Sequence, residues 1–185
     1  MAKEFLSIEP AHSEFIERQK IFFTASAAGS SHVNISPRST DALRILGPNQ
    51  VCYLDLTGSG NETAAHLKAG GQATIMFCAF DGPPMILRLY GRGRAVSRGH
   101  QSYSRLLREA FNSVEPLGAR QIVVLDIELV KTSCGYAVPL FGYERERVSL
   151  DNWAQNKGEA GLEDYRREKN VVSMDGLPTG IFDRE

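Results

Sequence analysis

The sequence predicts a small antiparallel β-barrel with flanking helices, an α+β chain, and three observations carry that expectation. Six runs of strand length are rich in β-branched and aromatic residues, at 21–28, 32–36, 51–56, 73–80, 85–96 and 122–130. Turn-forming clusters, Gly29-Ser30-Ser31 and Asp81-Gly82-Pro83-Pro84, join consecutive runs as hairpins. Helical patterns interrupt the runs only briefly. The resulting order β-β-β-α-β-β-α-β suits an antiparallel sheet closing on itself better than a doubly wound parallel one.

Each element has its own justification. Residues 9–18 put Phe15 and Ile16 on one side of a helix and charges on the other. The run IFFTASAA at 21–28 is a strand ending at Gly29, and the return strand at 32–36 should stop at Pro37, which has no N–H to give a ladder. A third strand occupies 51–56. Alanine and leucine make 62–69 helical, with Gly70-Gly71 as its stop. Residues 73–80 are almost wholly apolar, which predicts burial on both faces. In 85–96, Leu87, Leu89 and Gly91 alternate with Arg88, Tyr90 and Arg92, giving the sheet one polar, cationic side. Residues 101–111 carry leucines and an aromatic at helical spacing, and IVVLDIELV at 122–130 is the last strand.

A chain of 185 residues suits one domain. Its barrel core spans residues 9–138, followed by a more charged extension at 139–185 with helical patches at 150–155 and 162–169. Trp153, Tyr165, Leu177 and Phe182 in that extension should pack on the barrel or on a partner subunit.

Composition narrows the function classes. Lys plus Arg is 21 against 22 acidic residues, so nothing general favours nucleic acid or an anionic membrane as partner, and any anion site must be local. No run approaches the roughly 20 apolar residues of a membrane span, and the start lacks the apolar core of a secretory signal, so a cytoplasmic protein is expected. Cys52, Cys78 and Cys134 lie far apart without a CxxC or Cys/His pairing, which argues against a disulfide framework and a metal site. Cys52 and Cys78 read as small buried apolar residues.

The stretch YLDLTGSGNETAAHL, residues 53–67, holds the chemistry. Gly58 and Gly60 allow positive φ and close approach of a ligand, and Asn61 or Glu62 opens the following helix, so a phosphate would fit. The spacing is neither that of a GxxxxGK[ST] loop nor that of a GxGxxG turn. If the strands at 32–36 and 51–56 are neighbours, Ser36 and Arg38 reach the same end of the sheet as Thr57, Ser59 and Asn61, adding hydroxyls and a permanent cation. An ordinary capped turn and a solvated arginine are the plain alternatives.

The segments HVNISPR, VCYLDLTGSGNETAAHLKAGGQATIMFCAF and LRLYGRGRAV, in that order, resemble the pyridoxamine 5'-phosphate oxidase-like flavoproteins, whose fold is the FMN-binding split β-barrel. The resemblance covers about residues 15–130, and SCGYAVP and KNVVSMDGLP are similar to one subgroup of that family. It implies a homodimer with FMN at the subunit interface, the phosphate near the loop after the third strand and the isoalloxazine against the second and fifth. By the same resemblance Asn34, Ser36 and Arg38 line the flavin, with Asp55, Leu56 and Thr57 on the next strand.

Where the oxidases have a basic pair at the helix start, this chain has Glu62 and Thr63. An acidic side chain would repel a phosphate dianion, so the phosphate is expected on Arg38, Ser59, Asn61 and Thr63 with Glu62 turned aside. The deazaflavin F420 is the alternative cofactor. His66 either reaches the cofactor or covers the turn. Arg88 falls on a face that in the family meets the flavin or the partner, where its cation would stabilise reduced flavin. Arg92 and Arg94 read as surface residues. Cys134 and Tyr136 follow the last strand, where the resemblance places one subunit beside the ring bound by the other; Cys134 is read either as a thiol packed beside the ring or as a reactive group, and Tyr136 as a cover over the ring.

The activity so implied is an FMN-dependent oxidoreductase passing hydride between a small organic substrate and the flavin. The alternatives are a non-catalytic flavin-binding or sensing dimer and an F420-binding reductase. No catalytic side chain is assigned, because the cofactor carries the redox chemistry. Pyridoxamine phosphate is not the expected substrate: the C-terminal arginine-containing motif of the oxidases is missing from KNVVSMDGLPTGIFDRE.

Overall fold

The computed structural model describes residues 2–183. One curled antiparallel sheet forms the body, built from β1 (Lys3–Phe5), β2 (Ile21–Ala27), β3 (Asn34–Ser39), β4 (Leu43–Gly47), β5 (Gln50–Leu56), β6 (Gln72–Cys78), β7 (Ile86–Ser97) and β8 (Ala119–Ser133). The strand order is β3-β2-β6-β7-β8-β5-β4, with β1 added to the far half of β8. Helices α1 (Pro10–Arg18), α2 (Glu62–Lys68), α3 (Gln101–Phe111) and α4 (Ser149–Lys169) flank it. Two strands, β1 and β4, join the six read from the sequence.

The core follows from alternation. Phe22, Tyr53, Ile75, Phe77, Leu87, Leu89, Val123 and Leu125 point into the barrel. Residues one position along β5 and β8, such as Cys52, Leu54, Ile122 and Val124, point outward and are covered by Tyr103, Leu106 and Phe111. These two strands are therefore the ones buried on both faces, and each reads as a continuous apolar run. The expectation that 73–80 would be so buried does not hold: Thr74 and Met76 are only half-buried, because no helix covers that side of β6. The alternation in β7 is as expected, with Leu87, Leu89 and Gly91 buried and Arg92 exposed.

Pro37 does not end its strand. It sits within β3 opposite Phe23, and β3 pairs with β2 alone, so the missing N–H costs no ladder bond on the open side. The strands at 32–36 and 51–56, expected as possible neighbours, are not hydrogen-bonded to each other: β5 pairs with β4 and β8. The curl of the sheet brings them face to face across the gap between β3 and β4, which a single 3-10 turn (Thr40–Ala42) spans.

The two helical patches of the extension are one element broken at Gly158, whose φ of 65° interrupts the helix. Beyond α4 the chain makes a tight turn closed by a bridge between Val172 and Pro178. No helix among the described residues is long and apolar enough to cross a membrane.

Candidate functional site

The gap between β3 and β5 opens into a cavity of about 850 Å³. Its polar wall comes from β3 (Asn34, Ser36, Arg38, Ser39), from the end of β5 (Asp55), from the following loop (Gly58, Ser59, Gly60, Asn61) and from the start of α2 (Glu62, Thr63). Its other wall is apolar near Leu54, Leu56, Phe111, Val114 and Pro116, and Glu146, Arg147, Leu150 and Asp151 close the rim.

Behind the polar wall lies a buried charge cluster. Asp55 is an acid in the otherwise apolar strand QVCYLDL, and such a group is tolerated only when fully paired. It accepts hydrogen bonds from Arg120 Nε at 2.8 Å and Gln121 Nε2 at 2.7 Å, and a further one from Arg38 Nη1. Burial alone would raise the Asp55 carboxyl; the charges of Arg120 and Arg38, with the hydrogen bonds from Arg120 and Gln121, outweigh that and hold it below the usual carboxylate range. Within this cluster two guanidiniums face one carboxylate, a local excess of positive charge confined to Arg38, Asp55 and Arg120, since Glu62 stands on the same wall. Arg38 also lies over the Tyr53 ring, 4.7 Å from its centroid, and burial pushes the Tyr53 phenol up to about 12.

The hydroxyl side of the wall is equally ordered. Asn34 Nδ2 donates to Thr63 Oγ1 at 3.1 Å, tying β3 to α2. Asn61 precedes α2, but its side chain does not cap the helix; Oδ1 accepts from Gln121 Nε2 at 2.7 Å and Nδ2 donates to the Asn170 carbonyl at 3.3 Å. Glu62 is turned to the C-terminal segment, where its carboxylate accepts from the Met174 N–H at 3.1 Å. Gly58 and Gly60 do not take positive φ; the left-handed residue of this region is Gly70, which ends α2. Because α2 has only seven residues, the positive character of the wall rests on its arginines more than on a helix dipole.

Of the residues singled out from the sequence, the fold gathers Asn34, Ser36, Arg38, Asp55, Leu56, Ser59, Asn61 and Thr63 around this cavity. The others stand apart from its lining. Thr57 is buried, donating from Oγ1 to the Gly118 carbonyl at 2.9 Å. His66 is buried with Nδ1 3.0 Å from Ser26 Oγ. Arg88, on β7, donates to Ser133 Oγ at 3.2 Å, and Cys134 and Tyr136 lie exposed beyond β8. Arg120, Gln121, Arg166 and Asn170 were missed. The readable sign was Asp55 itself, since a carboxylate amid apolar strand residues demands a cation somewhere in the chain.

The sequence model described as pyridoxamine 5'-phosphate oxidase matches residues 8–134, more than half of the chain. A protein of Aspergillus flavus named pyridoxamine 5'-phosphate oxidase family protein ustO is 37% identical over 180 residues, covering 87% of this chain and 71% of that one. Among solved structures, a variant of HupZ from Group A Streptococcus matches with a TM-score of 0.55 at 15% identity, covering 68% of this chain and 99% of its own. A candidate pyridoxamine 5'-phosphate oxidase from Lactobacillus delbrueckii matches with a TM-score of 0.53 at 15% identity, over 68% of this chain and 94% of that one. These two likenesses speak for the fold, while the sequence match and the Aspergillus relative, together with the split antiparallel barrel and its cavity, establish the kinship: this chain belongs to the pyridoxamine 5'-phosphate oxidase family.

Proposed function

We propose that the protein is an FMN-dependent oxidoreductase acting as a homodimer, exchanging hydride between a small organic substrate and the flavin. The observation that carries this reading is the cavity between β3 and β5, which joins a cationic, hydroxyl-rich wall to an apolar one within the size range of ligand sites, about 300–1,000 Å³. The donor set suits a phosphorylated ring. Arg38 supplies the cation, Ser36, Ser39, Ser59 and Thr63 supply hydroxyls, and Glu62, which also lines the cavity, has its carboxylate engaged by the Met174 N–H.

When bound, FMN supplies two-electron chemistry as hydride. The chain's part is to bind and orient. Arg38, fixed by Asp55 and stacked on Tyr53, meets phosphate with a pre-set guanidinium rather than a mobile one. Leu54, Leu56 and Phe111 give the remainder of the cavity an apolar face, beside which each polar contact made is strengthened. The second subunit of the proposed dimer supplies the remaining cover, beside Arg88, Cys134 and Tyr136.

Mass spectrometry of ligand released from the purified protein tests the reading, with an absorbance scan across the flavin bands. FMN in the released fraction is the expected result. A deazaflavin mass, or a colourless protein that takes up no FMN, overturns it. Turnover of NAD(P)H or rapid reoxidation of photoreduced flavin separates the enzyme from an inert flavin-binding module.

A further inference from the structure

The C-terminal segment enters the wall of the cavity from behind, and one residue stands at the junction. Asn170, immediately after α4, is fully buried and bonded on every polar atom. Its Nδ2 donates to the Gly58 carbonyl at 3.0 Å, and its Oδ1 accepts from Arg120 Nη1 at 2.9 Å. Its own carbonyl accepts from Asn61 Nδ2 at 3.3 Å and from Thr179 Oγ1 at 2.6 Å, and its N–H donates to the Arg166 carbonyl at 2.9 Å. Arg120, so oriented, donates to the Gly60 carbonyl at 2.8 Å and to Asp55 at 2.8 Å. One turn earlier in α4, Arg166 Nε donates to Thr57 Oγ1 at 2.8 Å.

These contacts share an effect. The Gly58 carbonyl is held by Asn170 of the C-terminal segment and the Gly60 carbonyl by Arg120 of β8, so both are engaged by donors and neither is left free to oppose an anion in the cavity. The two glycines have no side chains and take no special φ, so their carbonyls are set from outside the loop. The restraint on Gly58 comes from Asn170, and Asn170 also accepts at Oδ1 from the Arg120 that holds Gly60.

We propose that Asn170 is a positioning residue for phosphate recognition: it holds the loop at 58–61 and the guanidinium of Arg120 in the arrangement that favours a phosphorylated ligand over its unphosphorylated counterpart. This rests on the FMN reading above. The tail of the chain is thereby a part of the binding site, acting through the loop without touching the ligand.

The test measures dissociation constants for FMN and riboflavin by fluorescence titration, and amide hydrogen exchange at 57–61 in the ligand-free protein, on the full chain. Three variants are compared with the parent: Asn170→Ala, Thr179→Val, and Leu162→Ala as a control that loosens α4 at a buried apolar position. Asn170→Ala is expected to weaken FMN about tenfold while leaving riboflavin within about twofold, and to speed exchange across the loop. Thr179→Val, which removes the bond to the Asn170 carbonyl and the long one from the Ile181 N–H, is expected to show the same pattern at about threefold, and it decides the matter if Asn170→Ala does not fold. Leu162→Ala is expected to lower the melting temperature without changing the ratio of the two constants. Equal loss of both ligands, an unchanged ratio, or unchanged exchange in the Asn170 and Thr179 variants overturns the proposal. If the parent protein binds no flavin, the FMN reading has failed, and the exchange data still decide whether Asn170 holds the loop.

Discussion

Two pieces of the same C-terminal extension meet opposite fates. The stretch from Tyr136 to Val148 is rich in large apolar side chains, yet Tyr136 is 81% exposed, Leu140 75% and Phe141 62%. The stretch from Arg166 to Thr179 is mostly polar, yet Arg166, Asn170, Ser173 and Thr179 are all buried. Hydropathy would have assigned them the other way round. The polar piece is inside because its groups are paired there: Asn170 donates to the Gly58 carbonyl of the loop, and the Asn170 carbonyl accepts from the Asn61 side chain. The apolar piece is outside because this chain offers it little more than Phe80, which Phe141 meets at 5.6 Å, and Lys20, which lies over Tyr143. Satisfied polar bonds decide what this chain buries within itself, and the uncovered apolar area is what the proposed dimer would draw on.

The largest effect should come from breaking the buried cluster that the polar piece supports. Asp55→Asn leaves the buried Arg120 and the half-buried Arg38 without their carboxylate and should cost about 3–5 kcal/mol in urea unfolding; a loss under about 1 kcal/mol would show that the cluster stabilises nothing. The Asp55 carboxyl is depressed in the fold, so its contribution is complete above the ordinary carboxylate value of about 4 and is lost as pH falls through the lower folded value. Acid unfolding of the parent should steepen there, and that limb should flatten in the variant.

Next comes the cavity face of the same cluster. Arg38→Ala should weaken FMN by about 10–100-fold, the worth of a charge-assisted bond or two, as read by fluorescence titration. Retained affinity would move the phosphate elsewhere in the cavity.

Sharpening the other side of the contrast, Phe141→Ser should loosen self-association by about tenfold in sedimentation velocity while leaving the unfolding of the single chain within about 0.5 kcal/mol. A variant that unfolds early instead would mean that the apolar stretch belongs to its own subunit.

The smallest effect concerns the clasp between His32 and Asp175, whose Nδ1–Oδ1 distance is 2.6 Å. Hydrogen bonding and charge from Asp175 raise the His32 value, so its share of the clasp is full below the ordinary histidine value of about 6.5 and fades as pH rises through the raised one. The bond from His32 likewise lowers Asp175, whose share fades as pH falls through its depressed value. Amide exchange in the turn at 173–176 should therefore be slowest between the two and faster on either side, and His32→Gln should flatten the profile.

Much of this architecture could be read from residue order alone, because its determinants are local. Alternation fixed β7, the Ala/Leu run followed by two glycines fixed α2, and the spacing of Tyr103, Leu106 and Phe111 fixed α3. The strand β4 was not read, since LRILG is short and takes its identity from pairing with β5. Pro37 misled because a proline's effect depends on whether its strand has a neighbour on that side, a property of the whole sheet. At the site, Arg38 was found as the cation at a strand end, whereas Arg120 and Asn170 stand 65 and 109 positions from Asp55 and Asn61 in the chain, and no local pattern links them. What escapes a sequence is the partner that an unusual residue requires; the requirement itself, an acid amid apolar neighbours, is plainly visible.

The proline inside β3 has one more consequence. An exposed strand margin normally invites another chain to add itself as an extra strand, and a gap in its row of amide donors, with a rigid ring in place, discourages that zippering. Along β3, then, the open margin beside the cavity mouth is a poor template for an added strand.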